Sequence, residues 1–362
     1  MICHTHFLIF VLFSMLIILI SKAQTLTNLQ KPINKSIPAA FTFGDSTVDP
    51  GNNNYIGTPF TSNFPPYGRD FPNHIPTGRF TNGRLVADFI VSYVGIKDNV
   101  PPYLDPTLSL QELMTGVSFA SAGSGFDPLT AQLSQVIPIE KQVQYFKEYK
   151  ARLELSIGKE RTKNLIGRAI YIVSAGTNDF IINYFATPFR RKSYSASSYS
   201  QFLMQQFQMF IQELIEQGAR KIMVTGLPPM GCLPLAITIY SGDAFHQRHC
   251  VETLTSVAKD FNRKLQIKLK SMQNNGTTIL YLDAYKPLSD VIQWQRQFGF
   301  EDVTNGCCGT GLLETTFLCN PGSAVCVDAS KYAFWDSVHP TQKTYHIIFQ
   351  SICSVIDSLI HN

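Results

Sequence analysis

The sequence predicts an α/β fold in which helices cover both faces of a five-stranded parallel sheet. Short runs that are apolar at nearly every position recur along the chain, as in strands buried on both sides. Between them lie longer stretches with apolar residues at helical spacing, so strand and helix alternate throughout. Small and polar residues stand directly after the strands, where open parallel sheets hold their ligands.

The first strand runs from Ala39 to Phe43 and breaks at Gly44, followed by Asp45 and Ser46, residues that open tight turns. Asn52 to Arg79 is rich in Gly, Pro and Asn and reads as a long surface loop. In Gly83 to Val94, the apolar residues Leu85, Val86, Phe89, Ile90 and Val94 mark a helix. After a proline-marked loop (Asn99 to Pro106), Gly116 to Gly125 is a second strand that dissolves into small residues. Helices are predicted over Ile139 to Leu155 and Lys159 to Ile166. The third strand, Ala169 to Ala175, ends in Gly176-Thr177-Asn178-Asp179. A helix over Tyr199 to Gln217 stops at Gly218. Lys221 to Thr225 is the fourth strand, Cys250 to Met272 a long helix, and Thr278 to Leu282 the fifth strand. A cysteine-rich loop then leads to a final helix over Thr341 to Ile360. No internal repeat or linker interrupts this order, so residues 39–362 are expected to form a single domain.

At 362 residues with 44% hydrophobic and 15% charged residues, the chain can bury a full core. A net charge of +4, without any run of Lys and Arg, gives no footprint for nucleic acid. Phe7 to Ile20 is almost wholly apolar, and Ser21-Lys22-Ala23 supplies small residues for cleavage. The run is short for a membrane span and reads as a secretory signal over residues 1–23, although its start carries no Lys or Arg. A short extension, 24–38, follows. The expected destination is extracellular or the cell wall, with no stable membrane insertion after cleavage, and the expected state is a monomer.

Cysteine usage agrees with export. Cys307, Cys308, Cys319 and Cys326 crowd one stretch, and the adjacent pair does not give zinc-finger spacing. Two disulfides among those four are expected. Cys232 and Cys250 are available for a third, leaving Cys353 unpaired; Cys3 departs with the signal. Asn34 and Asn275 head sequons for glycosylation.

Ser46 follows the first strand, Gly123 the second and Asn178 the third, while Asp336-Ser337-Val338-His339 precedes the last helix. If that loop folds over the same rim, His339 reaches the Ser46 hydroxyl and Asp336 fixes the imidazole tautomer. The N–H groups of Ser46 and Gly123 and the Asn178 amide then supply three donors for one oxyanion. Each piece alone has a plainer reading: a Gly-rich loop, a turn or cap at Asn178-Asp179, a cap at Asp336. In this order on successive strand ends, they point to nucleophilic catalysis. His246 and His249 have no third metal ligand, and their plain reading is a surface helix face. No Gly-x-Ser-x-Gly elbow and no dinucleotide or triphosphate loop occurs, so no metal or cofactor is expected.

These motifs resemble those of the GDSL-type esterase/lipase (SGNH hydrolase) family, closely its secreted plant branch. Gly44-Asp45-Ser46, Gly123, Gly176-Thr177-Asn178-Asp179 and Asp336-x-x-His339-Pro340 match its four blocks. Pro50-Gly51-Asn52-Asn53-Asn54, Cys307-Cys308-Gly309-Thr310-Gly311 and Phe334-Trp335-Asp336 add to the likeness. The resemblance implies a flavodoxin-like three-layer α/β/α sandwich and a catalytic set of Ser46, Gly123, Asn178, Asp336 and His339. It implies a secreted esterase or lipase that cleaves small-molecule, lipid or polysaccharide esters through an acyl-enzyme. An acyltransferase would use the same residues with an alcohol in place of water. An idle surface or carbohydrate-binding scaffold would have no need of Ser46, Asn178, Asp336 and His339 together. The chain departs from the family twice. Thr47 replaces the namesake leucine, and Ser118 stands where many plant members have Asn, which predicts a looser glycine loop.

Overall fold

Strands β1 (Ala40–Gly44), β2 (Ile170–Ser174), β3 (Lys221–Thr225) and β4 (Thr278–Leu282) lie side by side in that order, all parallel. They are seen in a computed structural model that describes residues 37–274 and 276–361. The expected signal segment with Cys3, all but the end of the 24–38 extension, and the sequons at Asn34 and Asn275 lie outside the described residues.

Among the described residues the sheet proper has four strands, not five. The predicted second strand is present as a run along the free edge of β1. There the Thr42 N–H donates to Val117 O (3.2 Å), and the Phe119 and Ser121 N–H groups donate to Thr42 O and Gly44 O (2.8 and 3.0 Å). Between this run and β1 a single parallel bridge, Thr42 to Ser118, forms among the described residues, and Ser118 also bridges Pro102 in parallel on its other side. Beyond Phe119 the chain consists of Ala, Ser and Gly and turns away instead of continuing a ladder. With that run counted, the spatial order in chain numbering is 2-1-3-4-5, the doubly wound order expected.

Seven longer helices flank the sheet: α1 (Val86–Val94), α2 (Ile139–Ile157), α3 (Lys159–Arg168), α4 (Ala196–Glu216), α5 (Glu252–Met272), α6 (Tyr285–Gln293) and α7 (Gln342–His361). Alternation along the strands divides the core into two layers. Phe41, Phe43, Tyr171, Val173, Ile222 and Val224 face one side and pack with residues of α2 to α6. Ala40, Ile170, Ile172, Met223 and Leu282 face the other, against Ile90, Val91 and Val94 of α1 and Ile352 and Ile356 of α7. The aromatic layer is dense. The Phe43 ring stacks on Phe119 at 5.1 Å and meets Phe146 edge-on at 5.7 Å.

Differences from the sequence reading fall where local patterns are short. α4 begins three residues early because the Ser195 side chain accepts the Ser198 N–H as an N-cap. α6 and the short helices Leu110–Met114, Pro128–Ser134 and Pro234–Tyr240 span nine residues or fewer, too few to show a clear period. The cysteine-rich stretch read as a loop contains a parallel pair, β5 (Asp302–Gly306) and β6 (Tyr332–Phe334). Nor is the Asn52 to Arg79 stretch all surface. Asn52, Asn53, Tyr67 and Arg79 are buried there, because each spends its polar atoms on a buried partner.

Among the described residues, three disulfides join Cys232 to Cys250, Cys307 to Cys326 and Cys308 to Cys319, and Cys353 is free. The latter two bridges close the segment between β5 and β6 into nested rings. Peptide mapping without reduction should recover these pairs, and replacing Cys308 and Cys319 by Ser should cost about 2–5 kcal/mol in a denaturant titration. Free thiols at 307, 308, 319 and 326 would contradict the pairing.

Candidate active site

The end of β1 is fixed from two sides. Gly44 has φ +133°, and a Cβ there would stand 1.8 Å from Ser174 O on β2, so only glycine fits. From α2, the Gln142 side chain clamps this residue. Its Oε1 accepts the Gly44 N–H (2.8 Å) and its Nε2 donates to Gly44 O (2.9 Å). The next turn is locked by Asp45, whose Oδ1 accepts the Thr47 N–H (3.0 Å) and hydroxyl (2.7 Å). Thr47 Oγ1 also lies 2.7 Å from Ser174 Oγ. Leucine at 47 could make neither side-chain bond. Burial raises the Asp45 carboxyl to about 6, against the pull of the Thr47 donors and of His339.

This turn delivers Ser46 Oγ to within 2.8 Å of His339 Nε2. The other ring nitrogen, Nδ1, lies 2.8 Å from Asp336 Oδ2 and 2.9 Å from Oδ1. Asp336 is wholly buried and His339 nearly so. Burial alone would raise the Asp336 carboxyl. The charge and hydrogen bond of His339, with the His339 and Val338 N–H groups, outweigh it and hold the carboxyl below the usual carboxylate range. An ionised carboxylate only accepts, so Nδ1 carries a proton in either charge state of the ring, and in the neutral imidazole Nε2 is left as acceptor for the Ser46 hydroxyl. The three residues form one directed chain of hydrogen bonds.

Two further donors on Asp336 went unread in the sequence. Tyr67 Oη donates to Oδ2 at 2.8 Å and accepts the Thr316 N–H at 2.9 Å. The Thr315 hydroxyl donates to the same Oδ2 at 3.1 Å. Burial, then the Asp336 charge, raises the Tyr67 phenol well above its ordinary value, so it stays a donor. Tyr67 packs edge-on against Phe80 at 5.7 Å, and Phe80 lies 5.0 Å from the His339 ring. Position 67 carries no local signal, since its partner is 269 residues away.

Gly123 and Asn178 line the same cleft as Ser46 and His339. Gly123 has φ +88°, and a Cβ there would press on the Phe60 ring at 3.0 Å. Among the described residues, the N–H groups of Ser46 and Gly123 find no acceptor. Asn178 Nδ2 donates one hydrogen to Ser124 O (2.9 Å), leaving the second.

The glycine loop is held firmly. Asp49 Oδ2 accepts the Ala122 N–H (2.9 Å), and Asn53 Nδ2 donates to Ala122 O (3.0 Å). Asn52 Nδ2 donates to Ser118 O and Ala120 O. The looser loop predicted from Ser118 is not found, because its hydroxyl donates to Val48 O (2.9 Å) and accepts the Ala120 N–H (3.2 Å). Asp179, read as a turn or cap residue, opens the helix Asp179–Phe185 and accepts the Phe126 and Asp127 N–H groups (2.8 and 3.0 Å). It ties the asparagine segment to the glycine loop. His246 and His249 lie in turns and irregular chain rather than on a helix face, and His246 pairs with Asp243.

A nucleophile, a base with a fixed tautomer and unpaired N–H groups beside them can attack a carbonyl and hold the resulting oxyanion. The family model described as GDSL-like Lipase/Acylhydrolase matches residues 41–352. GDSL esterase/lipase At5g45960 of Arabidopsis thaliana is 55% identical over 90% of this chain and 88% of its own length. Two more Arabidopsis thaliana proteins, GDSL esterase/lipase At1g06990 and At2g40250, are each 45% identical, over 88% and 91% of this chain and 89% and 92% of their own lengths.

Tyr67→Phe removes a donor from Asp336 and strands the buried Thr316 N–H, so it should lower stability by about 1–3 kcal/mol at neutral pH. Because Asp336 is depressed in the folded state, its contribution is full above the unfolded value, about pH 4. It is lost as pH falls through the folded value. The gap between wild type and Tyr67→Phe should therefore narrow below about pH 4 in urea titrations. A gap that widens there would mean that the phenol does not serve the ionised carboxylate.

Proposed function

The chain belongs to the GDSL-like lipase/acylhydrolase family and is a carboxylic ester hydrolase; from that premise we propose that it is a secreted serine esterase working through an acyl-enzyme on Ser46. The observation that carries this reading is the continuous bond chain from Ser46 Oγ through His339 to Asp336, with links of 2.8 Å. Ser46 Oγ attacks the ester carbonyl carbon while its proton passes to His339 Nε2. The carbonyl oxygen becomes an oxyanion held by the Ser46 and Gly123 N–H groups and the free Asn178 N–H. Collapse expels the alcohol, which takes the proton from Nε2, and the acyl group stays on Oγ. Water then gives a proton to Nε2 and attacks, and the carboxylic acid leaves as the proton returns to Oγ. Asp336 orients the imidazole and stabilises its charged form without taking the proton.

A fluorophosphonate should label Ser46 alone. Ser46→Ala and His339→Ala should each cut ester turnover by roughly 10³–10⁶, and the double variant should be little worse, since the two act as a unit. Asn178→Ala should cost about 10²–10³ in turnover, as for one oxyanion donor. Asp336→Asn should hurt less than loss of Ser46 or His339. Full activity in Ser46→Ala would defeat the proposal.

Secretion is supported by the apolar run Phe7 to Ile20 and by three disulfides, bonds that persist in oxidising compartments. Among the described residues, no helix is long and apolar enough to cross a membrane. N-terminal sequencing of protein from the medium should start near Gln24; a retained Met1 in a membrane fraction would count against export.

A further inference from the structure

A buried amide that clamps the backbone can serve structure alone, as Asn262 of α5 shows. It accepts the Leu227 N–H (2.7 Å) and donates to Leu227 O (2.8 Å), pinning the chain just past β3. Gln142 of α2 makes the same reciprocal pair on Gly44 at the end of β1. What sets Gln142 apart is the company its remaining hydrogen keeps.

Gln142 is fully buried on the stripe of α2 that also carries Ile139, Val143 and Phe146. An amide in such a place is tolerated only when its polar atoms are bonded. Oε1 takes the Gly44 N–H and Nε2 donates to Gly44 O, while the second hydrogen of Nε2 is shared between Ser124 Oγ (3.2 Å) and Ile137 O (3.4 Å). The Ser124 hydroxyl donates in turn to Gly44 O (2.7 Å), which also receives the Ser121 N–H (3.0 Å). Gly44, Gln142 and Ser124 thus close a ring of hydrogen bonds. Each donor proposed for the oxyanion hangs from that ring. Ser46 lies two residues past Gly44, Gly123 is the neighbour of Ser124, and Asn178 Nδ2 is bonded to Ser124 O (2.9 Å).

Only an amide completes the ring, because it accepts at one atom and donates at the other across a single peptide unit. A carboxylate would set a second acceptor against Gly44 O, and an apolar side chain would leave the buried Gly44 N–H unpaired. Donors stabilise an oxyanion only if they are aimed at one point before the charge forms. Here they come from the nucleophile turn, the glycine loop and the asparagine segment, so the spacing of those segments has to be fixed. Resting on the catalytic role of Ser46 argued above, we infer that Gln142 is a positioning residue for the reaction. It holds the nucleophile turn and the glycine loop at the spacing that lets their donors meet on one oxygen. It lines neither lobe of the cleft and acts through Gly44 and Ser124.

The test is a double-mutant cycle on p-nitrophenyl butyrate hydrolysis, with the fold of each variant checked by thermal unfolding. Gln142→Met keeps the length of the side chain and removes its polar atoms. It should lower kcat about 10²-fold, the cost of roughly 1 Å of misplacement, with KM within about threefold of wild type. In an Asn178→Ala background the same substitution should cost at least about tenfold less, because one of the donors it misplaces is already gone. Asn262→Leu breaks the equivalent clamp on Leu227 and should cost the same in both backgrounds. If Gln142→Met does not fold, Ser124→Ala, a smaller change that opens the ring from the other side, should show the same coupling to Asn178→Ala and decides. A folded Gln142→Met enzyme with wild-type kcat, a cost that is equal in the two backgrounds, or equal coupling from Asn262→Leu would overturn the positioning role. Turnover that survives Ser46→Ala would instead overturn the catalytic reading beneath it, so the two failures are distinguishable.

Discussion

A carboxylate without access to water, that of Asp336, lies behind the Ser46–His339 pair, and much of the structure serves to make it tolerable. Burying such an ion costs several kcal/mol unless its oxygens are filled. Asp336 is filled by the Val338 and His339 N–H groups, the imidazole, the Tyr67 phenol and the Thr315 hydroxyl. Those donors come from three regions distant in sequence, so satisfying one residue forces the loop after β1, the cystine-bridged segment and the turn before α7 to meet. The rigidity of the imidazole follows from that meeting. A histidine held only by its own turn would keep its rotamer freedom, and the serine would lose its acceptor for part of the time.

The glycine loop across the cleft is held in a different way. Here buried side chains keep backbone groups in place without letting the loop collapse onto its own carbonyls. Asp49, Asn52 and Asn53 spend buried side-chain polar atoms on residues 118–122, and Asp179 does the same for 126 and 127. The Gly123 amide remains between these two clamps with no acceptor among the described residues. Thr47 adds a comparable device at the turn that carries Ser46, where its hydroxyl bridges Asp45 and Ser174.

Much of this was legible in the sequence because the chemistry is local. Gly44-Asp45-Ser46, Gly123, Asn178 and Asp336-x-x-His339 each sit at the end of a strand or at the start of a helix, and the alternation of elements brings those ends to one rim. The bridge partners of Cys307, Cys308, Cys319 and Cys326 were narrowed by crowding, which left Cys232 and Cys250 available for the third bridge. What stayed hidden acts across long stretches of chain. Tyr67 looks like one more aromatic in a Pro-rich loop, and Gln142 like one more polar residue in an amphipathic helix, yet its partner Gly44 is 98 residues away. Ser118 misled for the same reason, since its bonds to Val48 and Ala120 depend on tertiary placement. The run beside β1 fell short of a full strand because its small residues serve the loop that follows.

The bond between Ser46 and His339 spans 293 residues. Closing so long a loop has an entropic cost that only the assembled core can meet. A polypeptide still emerging from the ribosome, or one ended by a premature stop before residue 336, therefore carries a Ser46 hydroxyl with no imidazole beside it. That bond forms only when the turn before α7 has docked, and it is lost when the turn lets go.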